Sequence, residues 1–277
     1  MSQASELWIA WSLSLEHSPD LNVAITRGSL VNNTPVFDST GTLLNIDTAG
    51  VQRRPRLATV GSGGVAAWIS EQAGPSNRVI LRRLDANGIP VGDEVAVDEG
   101  ADALRDIALA PVGGDKVAWV AERDGGVFHA GIRSASDLSR VADVVFPSSE
   151  IGRRYSPDLV AFENGALLAS VGVAGTEARV RVATLEGHAI LGPEVPIFTP
   201  IERGTASPTL ARLGPYWAAV AWFDGLGEHI VGVYLTLTAP TCIHGSVLCA
   251  HADAPEVCVG FGPTGYAPLP GATAWCL

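Results

Sequence analysis

Charge is sparse in this chain. Asp, Glu, Lys and Arg make up 17% of it, and 18 basic against 29 acidic residues leave a net charge of −11. Sequence-independent nucleic-acid binding needs Lys and Arg to displace counterions from phosphates, so no nucleic-acid partner is expected. The same deficit argues against docking on an anionic membrane surface. No apolar run approaches the roughly 18 residues that would cross a bilayer as a helix, so no membrane insertion is expected. Met1-Ser2-Gln3-Ala4-Ser5-Glu6 has neither a basic nor an apolar segment, and no signal peptide is visible there. Helix-period patterning is missing throughout. So are a nucleophile elbow, a phosphate-binding glycine loop and an HExxH pair, and no cofactor is implied.

What the chain does have is glycine (31), proline (18) and a 47% apolar share. That mixture suits many tight turns between buried strands, and 277 residues can bury a large core. Arg54 to Asp98 shows the unit. Pro55–Val60 reads as a strand opened by its proline, and Ser62-Gly63-Gly64 as a turn. Val65–Ile69 is then a small apolar strand, Val79–Leu84 a third, Asp85-Ala86-Asn87-Gly88 a turn, and Glu94–Val97 a fourth.

The second strand repeats. Its tryptophan or the equivalent falls at Trp11, Trp68, Trp119, Ser170, Trp222 and Trp275, in steps of 57, 51, 51, 52 and 53 residues. Pro55, Pro157 and Pro208 keep the same period, and so do third strands at Val23–Arg27, Val79–Leu84, Val127–Ile132, Val180–Leu185 and Ile230–Leu235. Four strands in about 50 residues is the period of a β-propeller blade. Over nearly its whole length the chain resembles the degenerate propeller repeats of secreted bacterial proteins, an architecture rather than one enzyme family. There is no Trp-Asp repeat signature. Asp38-Ser39-Thr40-Gly41-Thr42 only approaches a sialidase-type Asp-box, and Gly63-Gly64 and Gly113-Gly114 echo the kelch double glycine without its surroundings.

The expected fold is therefore all-β: one propeller domain over residues 1–277, with five four-stranded blades and six as the alternative. Blades are placed near 1–50, 51–100, 101–150, 151–200 and 201–250, followed by a tail at 251–277. The first repeat starts in mid-blade at Leu7–Ser12, so Pro255–Phe261 is expected to return as its missing first strand and close the ring. Trp11, Trp68, Trp119 and Trp222 are expected to fill the wedges between blades.

Loops after the second strands share a face with the loops between blades. That face collects Arg54, Arg154 and Arg203 with Glu71, Glu122 and Asp224, beside Arg53, Arg153, Asp124 and Tyr155. Arginine forks suit a carboxylate, sulfate or phosphate on a ligand. The plainer reading is solvated loop charges that pair with one another. No catalytic residue is assigned.

All four cysteines, Cys242, Cys249, Cys258 and Cys276, fall in the last 36 residues. Disulfides there would fasten the closing strand and place the protein outside the cytoplasm, secreted or on the cell surface. The rival is a metal site from Cys242-Ile243-His244 and Cys249-Ala250-His251, but the usual Cys-x2-Cys knuckle is missing and no metal is expected.

The leading functional expectation is a non-enzymatic recognition module, lectin-like, with a carbohydrate or protein partner. One alternative is an assembly subunit that docks a protein. The other is a glycoside hydrolase using Glu71, Glu122 and Asp224, since glycoside hydrolysis needs paired carboxyl groups.

Overall fold

The computed structural model describes residues 6–14, 20–32, 34–71, 77–144, 146, 153–162, 165–174, 177–186, 189–196, 207–212, 217–223, 230–236 and 258–260. All regular structure among them is strand. The chain falls into two compact units, Met1–Val144 and Val145–Leu277.

The first unit holds three groups of strands. β1 (Glu6–Ser14) and β2 (Leu21–Val31) form a hairpin, with the short β3 (Thr34–Phe37) and β4 (Thr42–Leu43) both on the outer edge of β2. β5 (Val51–Val60), β6 (Gly63–Glu71), β7 (Asn77–Leu84) and β8 (Pro90–Gly100) make an antiparallel meander. β9 (Leu104–Pro111), β10 (Lys116–Arg123), β11 (Val127–Ser134) and β12 (Arg140–Val144) make another. A single parallel pairing, Leu21 with Val51, joins the first group to the second.

The second unit repeats the plan. β13 (Arg153–Phe162), β14 (Gly165–Ala174), β15 (Glu177–Glu186) and β16 (Ala189–Pro196) form one sheet, and β17 (Thr209–Arg212), β18 (Trp217–Phe223), β19 (Ile230–Thr236) and β20 (Cys258–Gly260) another. That makes five strand groups among the described residues, as the repeat count predicts.

Period-2 alternation explains how neighbouring sheets bury one another. On β6, Val65, Ala67 and Ile69 face the third sheet, where they meet Ile107, Leu109, Val117 and Trp119. Ala66 and Trp68 on the opposite face meet Val23, Ile25 and Leu44 of the first group. Trp68 and Trp119 thus fill the wedges that the repeat pattern predicts. Each such ring contributes several kcal/mol to holding adjacent blades together, about 25 cal/mol per Å² of apolar surface removed from water. Trp68 also donates its indole N–H to Gln52 Oε1 (3.1 Å), tying the wedge to the first strand. In the first group the wedge residue is Trp8, which packs with Ala10 against this core, and Trp11 lies on the other face of β1 beside Gly41. Trp222 and Ser170 are buried in the second unit.

Two strand assignments are corrected. Pro55 and Pro157 do not open strands; they lie inside β5 and β13, where the registers shift between Arg53 and Arg56 and between Tyr155 and Asp158. A bulge leaves the ladder locally unpaired, so the N–H that proline lacks is not missed. The residues just before them, Arg54 (φ 58°) and Ser156 (φ 50°), carry the left-handed backbone of the bulge.

The segment expected to close the ring behaves differently as well. Cys258-Val259-Gly260 pairs antiparallel with Thr236, Leu235 and Tyr234 as the fourth strand of the fifth sheet. The outer edge of β19 has open N–H and C=O groups, and this extended segment satisfies them. Ala274-Trp275 lies outside the described residues.

Candidate functional site

β-sheet register brings the predicted charges together at one end of the second and third sheets. Glu71 ends β6 opposite Val51, and Glu122 sits near the end of β10 opposite Asp106 of β9. β5 packs against β9, so the starts of those strands and the ends of β6 and β10 share an edge. Glu71, Glu122 and the Arg53–Arg54 segment therefore lie at that edge, within the first unit.

Arginines stitch this edge. Arg53 Nε donates to Glu71 Oε1 (2.8 Å), and its Nη2 reaches the Leu104 carbonyl of the next sheet (2.6 Å). Arg56 Nη2 donates to Asp106 Oδ1 (3.1 Å), which also accepts the Ile107 N–H (2.9 Å). Arg54 is half exposed, and its nearest carboxylate contact is Asp106 Oδ2 at 3.8 Å. Arg105 pairs with Asp124. The Asp124 hydrogen bond and charge, with smaller contributions from Glu122 and Glu71, hold the Arg105 guanidinium above its ordinary pKa. Basic and acidic groups alternate along the edge, so it carries no large field of one sign.

Glu122 is 6% exposed, which is rare for a carboxyl group unless it has a structural or chemical role. Asp106 faces it across the ladder, and directly opposed residues carry Cβ atoms about 4.5–5.5 Å apart on one face. Two acidic side chains thus leave the ladder at opposed positions on one face, with arginines next to Asp106. Asp106 was absent from the sequence-based candidates. Its signal was its place three positions before Leu109, the partner of the repeated Trp119, and a register is needed to see it.

The other candidates are distributed differently. In the second unit Arg154 is buried on β13 with its guanidinium over the Phe146 ring (5.3 Å to the centroid). Arg153 is exposed on the same strand. Asp158 accepts the N–H groups of Leu159 (3.0 Å) and Leu210 (2.7 Å), tying β13 to β17. Arg203 and Asp224 lie outside the described residues, and so do Cys242, Cys249 and Cys276. Cys258 is a ladder residue opposite Thr236, and no disulfide is found among the described residues, so the disulfide-fastened tail is not carried further. Among the described residues no three His, Cys, Asp or Glu side chains are grouped to hold a metal. No helix there is long and apolar enough to cross a membrane.

No family model matches the chain, and no curated protein matches it either. Solved structures do. A GH43 endo-arabinanase from Bacillus licheniformis aligns over 86% of this chain and 93% of its own, at 9% identity and a TM-score of 0.50. This chain has the β-propeller fold. A GH43 β-xylosidase/α-arabinofuranosidase from a compost metagenome aligns over 86% of this chain and 90% of its own (11% identity, TM-score 0.46). A GH43 β-1,3-galactosidase aligns over 79% and 82% (11% identity, TM-score 0.47). The expectation of a non-enzymatic, lectin-like module is overturned at this point: the solved structure that shares the fold at a TM-score of 0.50 is an endo-arabinanase.

Proposed function

We propose that the chain is a glycoside hydrolase acting on a carbohydrate chain, with the edge built by β5, β6, β9 and β10 as part of its catalytic site. The observation that carries this reading is the cross-strand pair Asp106 and Glu122. Glycoside hydrolysis uses two carboxyl groups, one to protonate the leaving glycosidic oxygen and one to attack or activate water. In this proposal Glu122 donates the proton. Asp106, fixed by Arg56 and by its own Ile107 N–H, supplies the carboxylate at the anomeric carbon. Arg54, half exposed beside Asp106, offers a fork of donors to sugar hydroxyls, and Glu71 holds Arg53 in place. The endo-arabinanase that shares the fold makes arabinan the first substrate to try. A polysaccharide of that size stays outside the cell, which is where we place the protein.

The test is reducing-sugar release from arabinan, xylan and β-1,3-galactan, and chromophore release from aryl glycosides. Wild-type protein is compared with Asp106→Asn and Glu122→Gln. Each variant should lose about 10²–10⁴-fold in kcat while keeping the wild-type circular dichroism spectrum. Wild-type protein inactive on every substrate, or variants as active as wild type, would sink the assignment.

A further inference from the structure

We propose that the first unit carries a second saccharide-binding groove, remote from the carboxyl pair. The ligand class rests on the carbohydrate reading above, and the groove itself rests on separate observations. It occupies about 360 Å³ between β2, the segment from Asp38 to Thr42, and the turn between β7 and β8. Pockets that take small molecules begin near 300 Å³.

Register places it at the opposite end of the strands. Glu71 and Asn77 mark the carboxylate end of the β6–β7 ladder, and Gly64 and Leu84 mark the other, from which the Asp85–Ile89 turn departs. The turn is rigid. Asp85 Oδ1 accepts the N–H groups of Asn87 and Ile89 (2.8 Å each), and Gly88 N donates to the Asp85 carbonyl (3.0 Å). Gly88 has φ 75° and lies against the Trp8 indole, where a Cβ would come within 3.2 Å of the ring. Arg27 Nη1 donates to Asn87 Oδ1 (3.2 Å), and the Asn87 side chain also hydrogen-bonds the Asp85 carboxylate.

The lining chemistry selects the ligand. Arg27 and Asp38 carry opposite charges, and Asp85 stands close enough to Arg27 to feel it, so the groove offers an anion no net attraction. Guanidinium, carboxylate and amide are planar groups that hydrogen-bond to neighbouring hydroxyls in pairs. Asp38 has its backbone tied by Arg27 and Thr26, whereas its carboxylate makes no hydrogen bond or ion pair among the described residues. Trp8 in the wall and the exposed Ile89 at the lip provide apolar surface for the C–H face of a sugar ring. A neutral saccharide needs this combination of apolar floor and planar polar groups. The imperfect Asp-box, Asp38-Ser39-Thr40-Gly41-Thr42, is the strand-edge segment that supplies much of the wall.

Affinity electrophoresis of the whole protein in gels containing arabinan, xylan or β-1,3-galactan tests this. Wild-type protein should be retarded by at least one of them, and Asp38→Asn or Asn87→Ala should weaken that retardation at least threefold. Trp8→Ala should abolish it, but Trp8 also packs the core, so the two polar variants decide. Hydrolysis of a small aryl glycoside should be unchanged in both. No retardation of wild type on any gel, or retardation of both polar variants equal to that of wild type, overturns the groove. Retardation lost in Asp38→Asn or Asn87→Ala while aryl-glycoside hydrolysis persists separates the two sites. Retardation lost in the groove variants of a protein that never hydrolyses would remove the hydrolase reading and leave the groove standing.

Discussion

Arg123 and Asp98 form a buried ion pair between the third and second sheets. Arg123 Nε donates to Asp98 Oδ2 at 2.9 Å, with side-chain exposures of 4% and 9%. The guanidinium also reaches the Asp102 carbonyl (2.7 Å), and Asp98 Oδ1 lies 3.0 Å from His129 Nδ1. The pair is therefore placed by strands β8, β10 and β11, which sequence alone could not connect.

Removing one member strands the other. Arg123→Met leaves the Asp98 carboxylate in a dry site with the half-exposed His129 as its remaining partner, and should destabilise the protein by about 3–5 kcal/mol. The double variant Arg123→Met/Asp98→Leu should be less costly than Arg123→Met alone, because no buried charge is left over. Urea unfolding of the three variants measures both. A double variant less stable than the single one would contradict the account.

The two wedge tryptophans differ in one hydrogen bond. Trp68 Nε1 donates to Gln52 Oε1, whereas Trp119 Nε1 is buried with no partner among the described residues, next to Gly131. Trp68→Phe deprives a buried amide oxygen of its donor; Trp119→Phe removes an unsatisfied donor. The first should cost about 1–3 kcal/mol more than the second. Equal thermal midpoint shifts would show that packing volume alone governs both positions.

Gly63 is required by space rather than by backbone conformation. A Cβ there would lie 2.4 Å from the Leu84 carbonyl oxygen, a backbone atom that cannot swing aside. Gly61, two residues earlier, has φ 59° and open space around it. Gly61→Ala should cost about 1–2 kcal/mol from left-handed strain. Gly63→Ala should cost more, because it forces the β6–β7 ladder apart. Their midpoints by differential scanning fluorimetry rank the two effects.

Asp85 gives the turn beside the groove a pH dependence. The Ile89 backbone hydrogen bond, helped by Asn87 and the Arg27 charge, holds its carboxyl below the ordinary 3.8. A carboxylate with a depressed folded-state pKa contributes stability that is full above its unfolded value and is lost as pH falls through the folded one. Asp85→Asn should therefore melt below wild type at pH 7, with the gap closing as the pH drops under about 4. A gap that stays constant down to pH 2 would show that the Asp85 charge contributes nothing.

Sequence alone determined the architecture and its period. The spacing of Trp68 and Trp119 fixes a wedge residue in each of their blades, since a side chain alternates faces and a one-residue slip would turn it to the wrong side. Loop positions also showed that Arg53 and Glu71 share an end of the fold. Tertiary structure decided everything that depends on register between strands far apart in the chain. The loop between β9 and β10 is longer than the one between β5 and β6, so β9 slides relative to its counterpart. That slide sets Asp106, rather than a residue predicted from the period, opposite Glu122. The bulge at Arg54-Pro55, the choice of Trp8 over Trp11 as wedge, and the pairing of β20 with β19 have the same origin. Each is chosen by the free energy of packing and backbone hydrogen bonding summed over neighbouring strands, and a single repeat does not contain its neighbours.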